Sequence, residues 1–208
     1  MTDLDQKFIK KAERWARWCG RLPGVRAIFL SGSVAEGRAT ENSDIDFFII
    51  AKHGQIWTAR FFVFLFLKIA NQLASEKKHA FRICPNHFIT DNELEIREKD
   101  AYSAKLFSHN FPLYDPDRLF LNFVEKNATW VRKFREKFPD VPPPGFGTSH
   151  KKPGLFAKLI ENILAAIQII KIRHNPDYHL PGAKIILEEN ELRFHPDPKN
   201  KKFKKKKK

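Results

Sequence analysis

Residues Ile28 to Ile50 read IFLSGSVAEGRATENSDIDFFII. One apolar run stops at Ser31-Gly32-Ser33, a polar connection follows, and a second apolar run opens with Asp44-Ile45-Asp46. Both runs are short and rich in β-branched and aromatic residues, so they predict two strands. Asp44 and Asp46 stand at i and i+2 on the second strand, which points both carboxylates to one face. Two such charges side by side repel unless a cation lies between them. Their oxygens suit Mg²⁺, which keeps coordination positions open for substrate phosphate. Gly32 lets the backbone approach a ligand closely, and the Ser33 hydroxyl with nearby amides suits phosphate oxygens. Arg38, in the connection, is the candidate counter-charge for those oxygens.

Outward from this stretch, Asp3 to Trp18 has helical spacing, with Leu4, Phe8, Ala12, Trp15 and Ala16 near one face. Pro23-Gly24 marks a turn into the strand Val25 to Leu30. Asp44 to Ala51 predicts a strand largely buried on one face, and Gln55 to Ser75 a helix apolar almost all round. Ala80 to Thr90 predicts a third strand, which Pro85 assigns to an edge or a bulge. Leu94 to Arg97 suggests a short further strand, and Asp100 to His109 a helix capped by its aspartate. Asp115 to Phe138 predicts a helix with a stripe through Leu119, Phe123, Val124, Trp130 and Phe134. Pro139 to His150 holds four prolines and two glycines and is the clearest linker. Leu155 to His174 predicts an amphipathic helix with Leu155, Leu159, Ile163, Ala166, Ile167 and Ile170 as its stripe. Ile185 to Leu187 and Leu192 to Phe194 read as extended pieces of a hairpin.

The expected fold class is therefore α+β: a small mixed β-sheet covered by helices, with a helical C-terminal part. The expected division is 1–112 for the sheet-bearing domain, 113–196 for the helical region with its linker at 139–150, and 197–208 for a disordered basic tail.

At 208 residues, 42% hydrophobic, the chain is long enough to bury a sizeable core. It carries 38 Lys+Arg against 24 Asp+Glu, a net charge of +14. Eight of those lysines lie in Lys199 to Lys208, and without them the balance is 30 against 24. The charge therefore belongs largely to a tail, which suits nucleic acid or another anionic surface. Phe61 to Leu67 (FFVFLFL) is the most apolar run, and its seven residues fall far short of the ~20 needed to span a bilayer. The first eleven residues lack a secretory pattern, and the two cysteines, Cys19 and Cys84, are not in metal-ligand spacing. Together these features predict reduced thiols and a cytoplasmic protein without a transmembrane segment.

Gly32-Ser33, ten residues, then Asp44-Ile45-Asp46 resembles the GS-x10-DxD signature of the DNA-polymerase-β-type nucleotidyltransferase superfamily. The chain looks most similar to its minimal branch, which includes antitoxin-type and aminoglycoside-modifying members. Cys84 to Phe88, Tyr102-Ser103-Ala104 and Leu192 to Pro196 resemble segments of uncharacterised nucleotidyltransferase-domain proteins. The resemblance implies metal-assisted transfer of a nucleoside monophosphate from an NTP, with ATP the first choice, to a protein, RNA or small-molecule acceptor. Asp44 and Asp46 are then metal ligands for Mg²⁺, and Gly32, Ser33 and Arg38 bind the nucleotide.

The superfamily pattern adds a third carboxylate on a later strand, and Ala80 to Thr90 contains no Asp or Glu. Asn86 or Cys84 occupies that position, Glu95 follows on a neighbouring piece as the candidate third catalytic carboxylate, and His87 alternates to the face opposite Asn86. Two classes of function follow. One is an Mg²⁺-dependent nucleotidyltransferase; the alternative is a nucleotide-binding regulatory or interaction module that has lost catalysis.

Overall fold

Strands β1 (Val25–Ser31) and β2 (Ile45–Ala51) pair antiparallel, with Ser31 opposite Asp46. The computed structural model describes residues 2–75, 78–134, 154–175 and 184–195. The linker at 139–150, the tail at 197–208, Pro196 and the side chain of His195 lie outside the described residues. β2 continues through helix α3 (Ile56–Ile69) to β3 (Ile83–Thr90), which runs parallel to β2. A parallel neighbour requires such a crossover, because a tight turn only reverses the chain. The sheet has six strands in the order β4-β1-β2-β3-β6-β5, where β4 is Phe111–Tyr114, β5 is Lys184–Leu187 and β6 is Glu191–His195. Every neighbouring pair except β2 and β3 is antiparallel. The mixed sheet and its helices make the α+β fold that the sequence predicts.

Helices cover both faces of the sheet. On one face lie α1 (Asp3–Cys19), α3 and α6 (Leu155–Arg173), closing over Ile28, Leu30, Ile45, Phe47 and Ile49. On the other lie α4 (Ala101–Ser108) and α5 (Leu119–Lys133), closing over Phe29, Phe48 and Ile50. β2 is accordingly buried on both faces rather than on one. The second core is aromatic: the rings of Phe29, Phe48, Phe107 and Phe123 lie with centroids 5.3 to 6.0 Å apart in tilted and edge contacts.

Local chemistry sets the element ends. Thr2 and Asp5 form a reciprocal capping box at the start of α1, and Asp5 Oδ1 also accepts from the Ala39 amide at 3.2 Å. That second bond ties α1 to the connection that carries Arg38. α3 ends at Ile69, short of the predicted Ser75, and the chain leaves it through Asn71 at φ 53°. Asp115 caps α5 through the amides of Leu119 and Phe120, at 2.8 and 2.9 Å.

Three segments depart from the sequence reading. Leu94 to Arg97 forms no strand: Asn127 on α5 holds the Leu94 carbonyl and the Ile96 amide instead. Phe111–Tyr114 does form one, β4, at the edge of the sheet beside β1. The boundary expected at residue 112 falls inside that strand, and β6, from the expected helical region, pairs with β3 in the same sheet.

The third departure concerns α6. Leu155, Leu159, Ile163, Ala166, Ile167 and Ile170, its predicted stripe, are all exposed. Its buried residues include Glu161 and Gln168. Glu161 accepts from the Trp57 and Thr58 amides, each at 2.8 Å, and from the Thr58 hydroxyl at 2.7 Å. These amides start α3, whose own N-cap, Gln55, makes no side-chain bond to the helix. Gln168 spans the Trp57 carbonyl and the Arg60 guanidinium. Leu164, Ala165, Ile169 and Ile172 on that side pack against the core, so this second apolar row and the polar pairing together set the rotation of α6 about its axis.

Candidate active site

A cleft of about 370 Å³ opens where β1 ends and β2 and β3 begin. Gly32, Ser33, Asp44, Asp46, Cys84 and Asn86 line its strand side. Tyr102, Lys105 and Leu106 line it from α4, at the i, i+3, i+4 spacing of one helix face, and Phe194 reaches it from β6.

Gly32 opens a single helical turn, α2 (Gly32–Ala35), with φ +70°. A Cβ built there would stand 2.1 Å from Asp46 Oδ2. The backbone conformation and the contact both demand glycine, so the turn lies directly on the carboxylate. Ser33 Oγ is 3.4 Å from Ser43 Oγ, which ties the turn to the residue before Asp44.

Asp46 and Cys84 are cross-strand partners on parallel strands. One ligand atom from each of Asp44, Asp46 and Cys84 lies within 4.8 Å of the others. The Asn86 amide donates to Asp46 Oδ1 at 2.6 Å. A bulge between Phe47 and Phe48 gives β3 an extra residue at Asn86. Strict alternation places His87 opposite Asn86; the bulge cancels it. Asn86 meets Asp46, and the His87 ring lies 4.7 Å from Phe48, two residues further along the same face of β2. His87 is nevertheless outside the cleft, buried with Nε2 3.0 Å from Glu191 Oε1. Burial, with the Arg193 charge beside it, pushes its pKa well below 6.5, so the neutral ring donates to Glu191.

Glu95 does not join the site. Its carboxylate is half exposed, paired with Lys99, and outside the cleft lining. The reason is the missing strand at 94–97: the loop turns Leu94 and Ile96 into the second core and leaves Glu95 pointing to water. The carboxylate that does line the cleft beside Asp44 and Asp46 is Glu36, whose side chain is 9% exposed. It pairs with Arg38 and lies 3.9 Å from Lys105 Nζ. The sequence signal for Glu36 was its place four residues after Gly32, one helical turn on. For Lys105 it was the spacing from Tyr102. Arg38 lines the cleft, with its side chain 61% exposed and engaged by Glu36.

The donor set suits a divalent cation. Asp44 and Asp46 offer hard carboxylate oxygens in one place, Asn86 orients one of them, and only Cys84 is foreign to an all-oxygen site.

Residues 13–102 match the family model of the nucleotidyltransferase domain, a span that includes both aspartates, the Gly32 turn, Cys84 and Asn86. This part of the chain is therefore similar to nucleotidyltransferase domains. No curated protein matches the chain. Among solved structures, a toxin-antitoxin crystallised with AMP-PNP is similar at 14% identity, with a TM-score of 0.34. The similarity covers 61% of this chain and 86% of that one.

Proposed function

We propose that the protein is a divalent-cation-dependent nucleotidyltransferase, with Mg²⁺ the expected ion, that moves a nucleoside monophosphate from an NTP to an acceptor nucleophile. The observation that carries this reading is the pair of carboxylates, Asp44 and Asp46, facing a cleft beneath the Gly32 turn of a nucleotidyltransferase domain. Asp44 and Asp46 would hold the cation, which would supply charge neutralisation and a template for the triphosphate. Gly32 and Ser33 present backbone and hydroxyl to the phosphate oxygens. Arg38 and Lys105 supply positive charge at the rim, and ATP is the first nucleotide to test. In the reaction the acceptor forms a bond to the α-phosphorus and gives up its proton to solvent, the bond to the bridging oxygen breaks, and pyrophosphate leaves.

The test uses α-labelled NTP, Mg²⁺ and a panel of protein, RNA and small-molecule acceptors. Asp44→Asn and Asp46→Asn should each lower labelling at least about a hundredfold, the equivalent of several kcal/mol of lost transition-state stabilisation. Labelling by the double variant at the wild-type rate overturns the reading.

One observation favours a second reading. Cys84 and Asn86 stand beside Asp46 where the superfamily pattern expects an acid, and Asn cannot take a proton. A nucleotide-binding regulatory module has that composition. Calorimetric NTP binding without pyrophosphate release across the whole panel selects it over the enzyme.

A further inference from the structure

In the metal-ligating group of the cleft, Asp44, Asp46 and Cys84, the cysteine is the member whose chemistry does not belong to a magnesium site. It faces Asp46 across β2 and β3, half-buried at the floor of the cleft. Its sulfur and one oxygen each from Asp44 and Asp46 lie within 4.8 Å of one another. A tetrahedral ion with a metal–sulfur distance of ~2.3 Å and metal–oxygen distances of ~2.0–2.2 Å holds its donors ~3.4–3.6 Å apart, so side-chain rotation must draw the three together by up to ~1.4 Å on binding. Asn86 holds Asp46 by Oδ1, and the Gly32 turn covers Oδ2, so the carboxylate is oriented before any ion arrives. Thiolate is a soft ligand: it selects zinc-class ions, whereas Mg²⁺ takes oxygen ligands in near-octahedral geometry.

We propose that Cys84 is the third protein ligand of the cation held by Asp44 and Asp46, and that it makes this site prefer a zinc-class ion over Mg²⁺. The inference rests on the reading of Asp44 and Asp46 as metal ligands. It changes which ion they hold most tightly and assigns a role to the position where an acid is missing. On binding, the thiol proton passes to solvent and the sulfur–metal bond forms, with no change in oxidation state.

Co²⁺ titration of the chelator-treated full-length chain tests the proposal, with the colour of the complex as readout. A near-ultraviolet sulfur-to-cobalt band should appear together with the visible bands of bound Co²⁺. In Cys84→Ser the visible bands should persist and the near-ultraviolet band should vanish. Zn²⁺ affinity should fall by at least about 10–100-fold, the loss that removing even an outer partner of a metal ligand produces, while Mg²⁺ affinity does not fall with it. Wild-type protein supplies a second measurement. N-ethylmaleimide should label Cys84, and Zn²⁺ should block the labelling. Cys19 gives no background, being wholly buried with its thiol pushed up to about 12. Visible bands without the sulfur band, or labelling of Cys84 indifferent to Zn²⁺, overturns the proposal and leaves the aspartate site standing. Absence of any Co²⁺ spectrum removes both.

Discussion

Gly32 and Asp46 show how closely one residue can depend on another fourteen positions away. The turn has a backbone that favours glycine and no space for a methyl group above the carboxylate. Gly32→Ala must therefore relax the turn or displace Asp46. The expected stability loss is about 1–3 kcal/mol, measured by urea unfolding. NTP affinity should fall with it, measured by calorimetry at a temperature where the variant remains folded. A variant that binds as wild type does would mean that the contact is not part of the nucleotide site. At this scale the sequence was informative where chemistry is local. Gly32, Ser33, Asp44 and Asp46 could be named from strand alternation and a short turn. Glu36 and Lys105 carry only helical spacing from Gly32 and Tyr102 as a signal, and their place in the cleft depends on how α2 and α4 are set over the sheet.

Helix α6 shows how a helix can defy its own hydrophobic pattern. Its apolar stripe predicts an inward face at Ile163, yet Ile163 is 51% exposed and Glu161 is 8% exposed. The start of α3 explains the inversion. Amides of a helix N-terminus need acceptors, and the side of α6 that offers Glu161 also offers Leu164, Ala165, Ile169 and Ile172 to the core, so that side turns inward. Glu161→Ala should cost about 2–3 kcal/mol, because it leaves the Trp57 and Thr58 amides buried without their acceptor. Ile163→Ala should change stability by no more than about 0.5 kcal/mol. Chemical denaturation of the two variants side by side checks the order, and a reversed order would sink the account of α6. The bulge in β3 is a second case at this scale. One extra residue at Asn86 brings both Asn86 and His87 to the aspartate face, which no period-two reading of CPNHF allows.

Across the molecule, the C-terminal hairpin closes onto the sheet through a buried polar group. His87, Glu191 and Arg193 meet between β3 and β6, and Arg193 reaches Glu98 at 2.7 Å and Ser103 on α4 at 3.4 Å. Arg60 on α3 stacks over Phe194, 4.7 Å from the ring centroid, and so joins the opposite helical layer to the strand that borders the cleft. This arrangement makes stability depend on pH. Folded His87 holds a proton less tightly than the unfolded chain, so protonation favours unfolding as pH falls below about 6.5. Glu191, whose pKa burial raises, acts with the opposite sign. A comparison with His87→Gln, which retains Glu191, isolates the histidine. Between pH 7 and 5 the wild type should lose up to about 1.4 kcal/mol per pH unit more than the variant, read from urea midpoints. Parallel profiles would show that His87 titrates freely in the folded protein.

The sequence alone determined the two central strands, the glycine turn, the aspartate pair and the α+β class. These follow from period-two alternation, turn chemistry and like-charge spacing, all of which act over a few residues. It also exposed the gap in the third strand, since a missing acid is visible without coordinates. Asn86, Cys84 and Glu95 were all legible as candidates for that position, and tertiary structure decided which of them stand beside Asp46. Glu95 belongs to solvent because its segment bends into the second core, and Cys84 with Asn86 belongs to Asp46 because β3 lies parallel to β2 in this register. Register, bulges and helix rotation come from packing and buried hydrogen bonds between distant segments, and those energies are not written in any short stretch of residues.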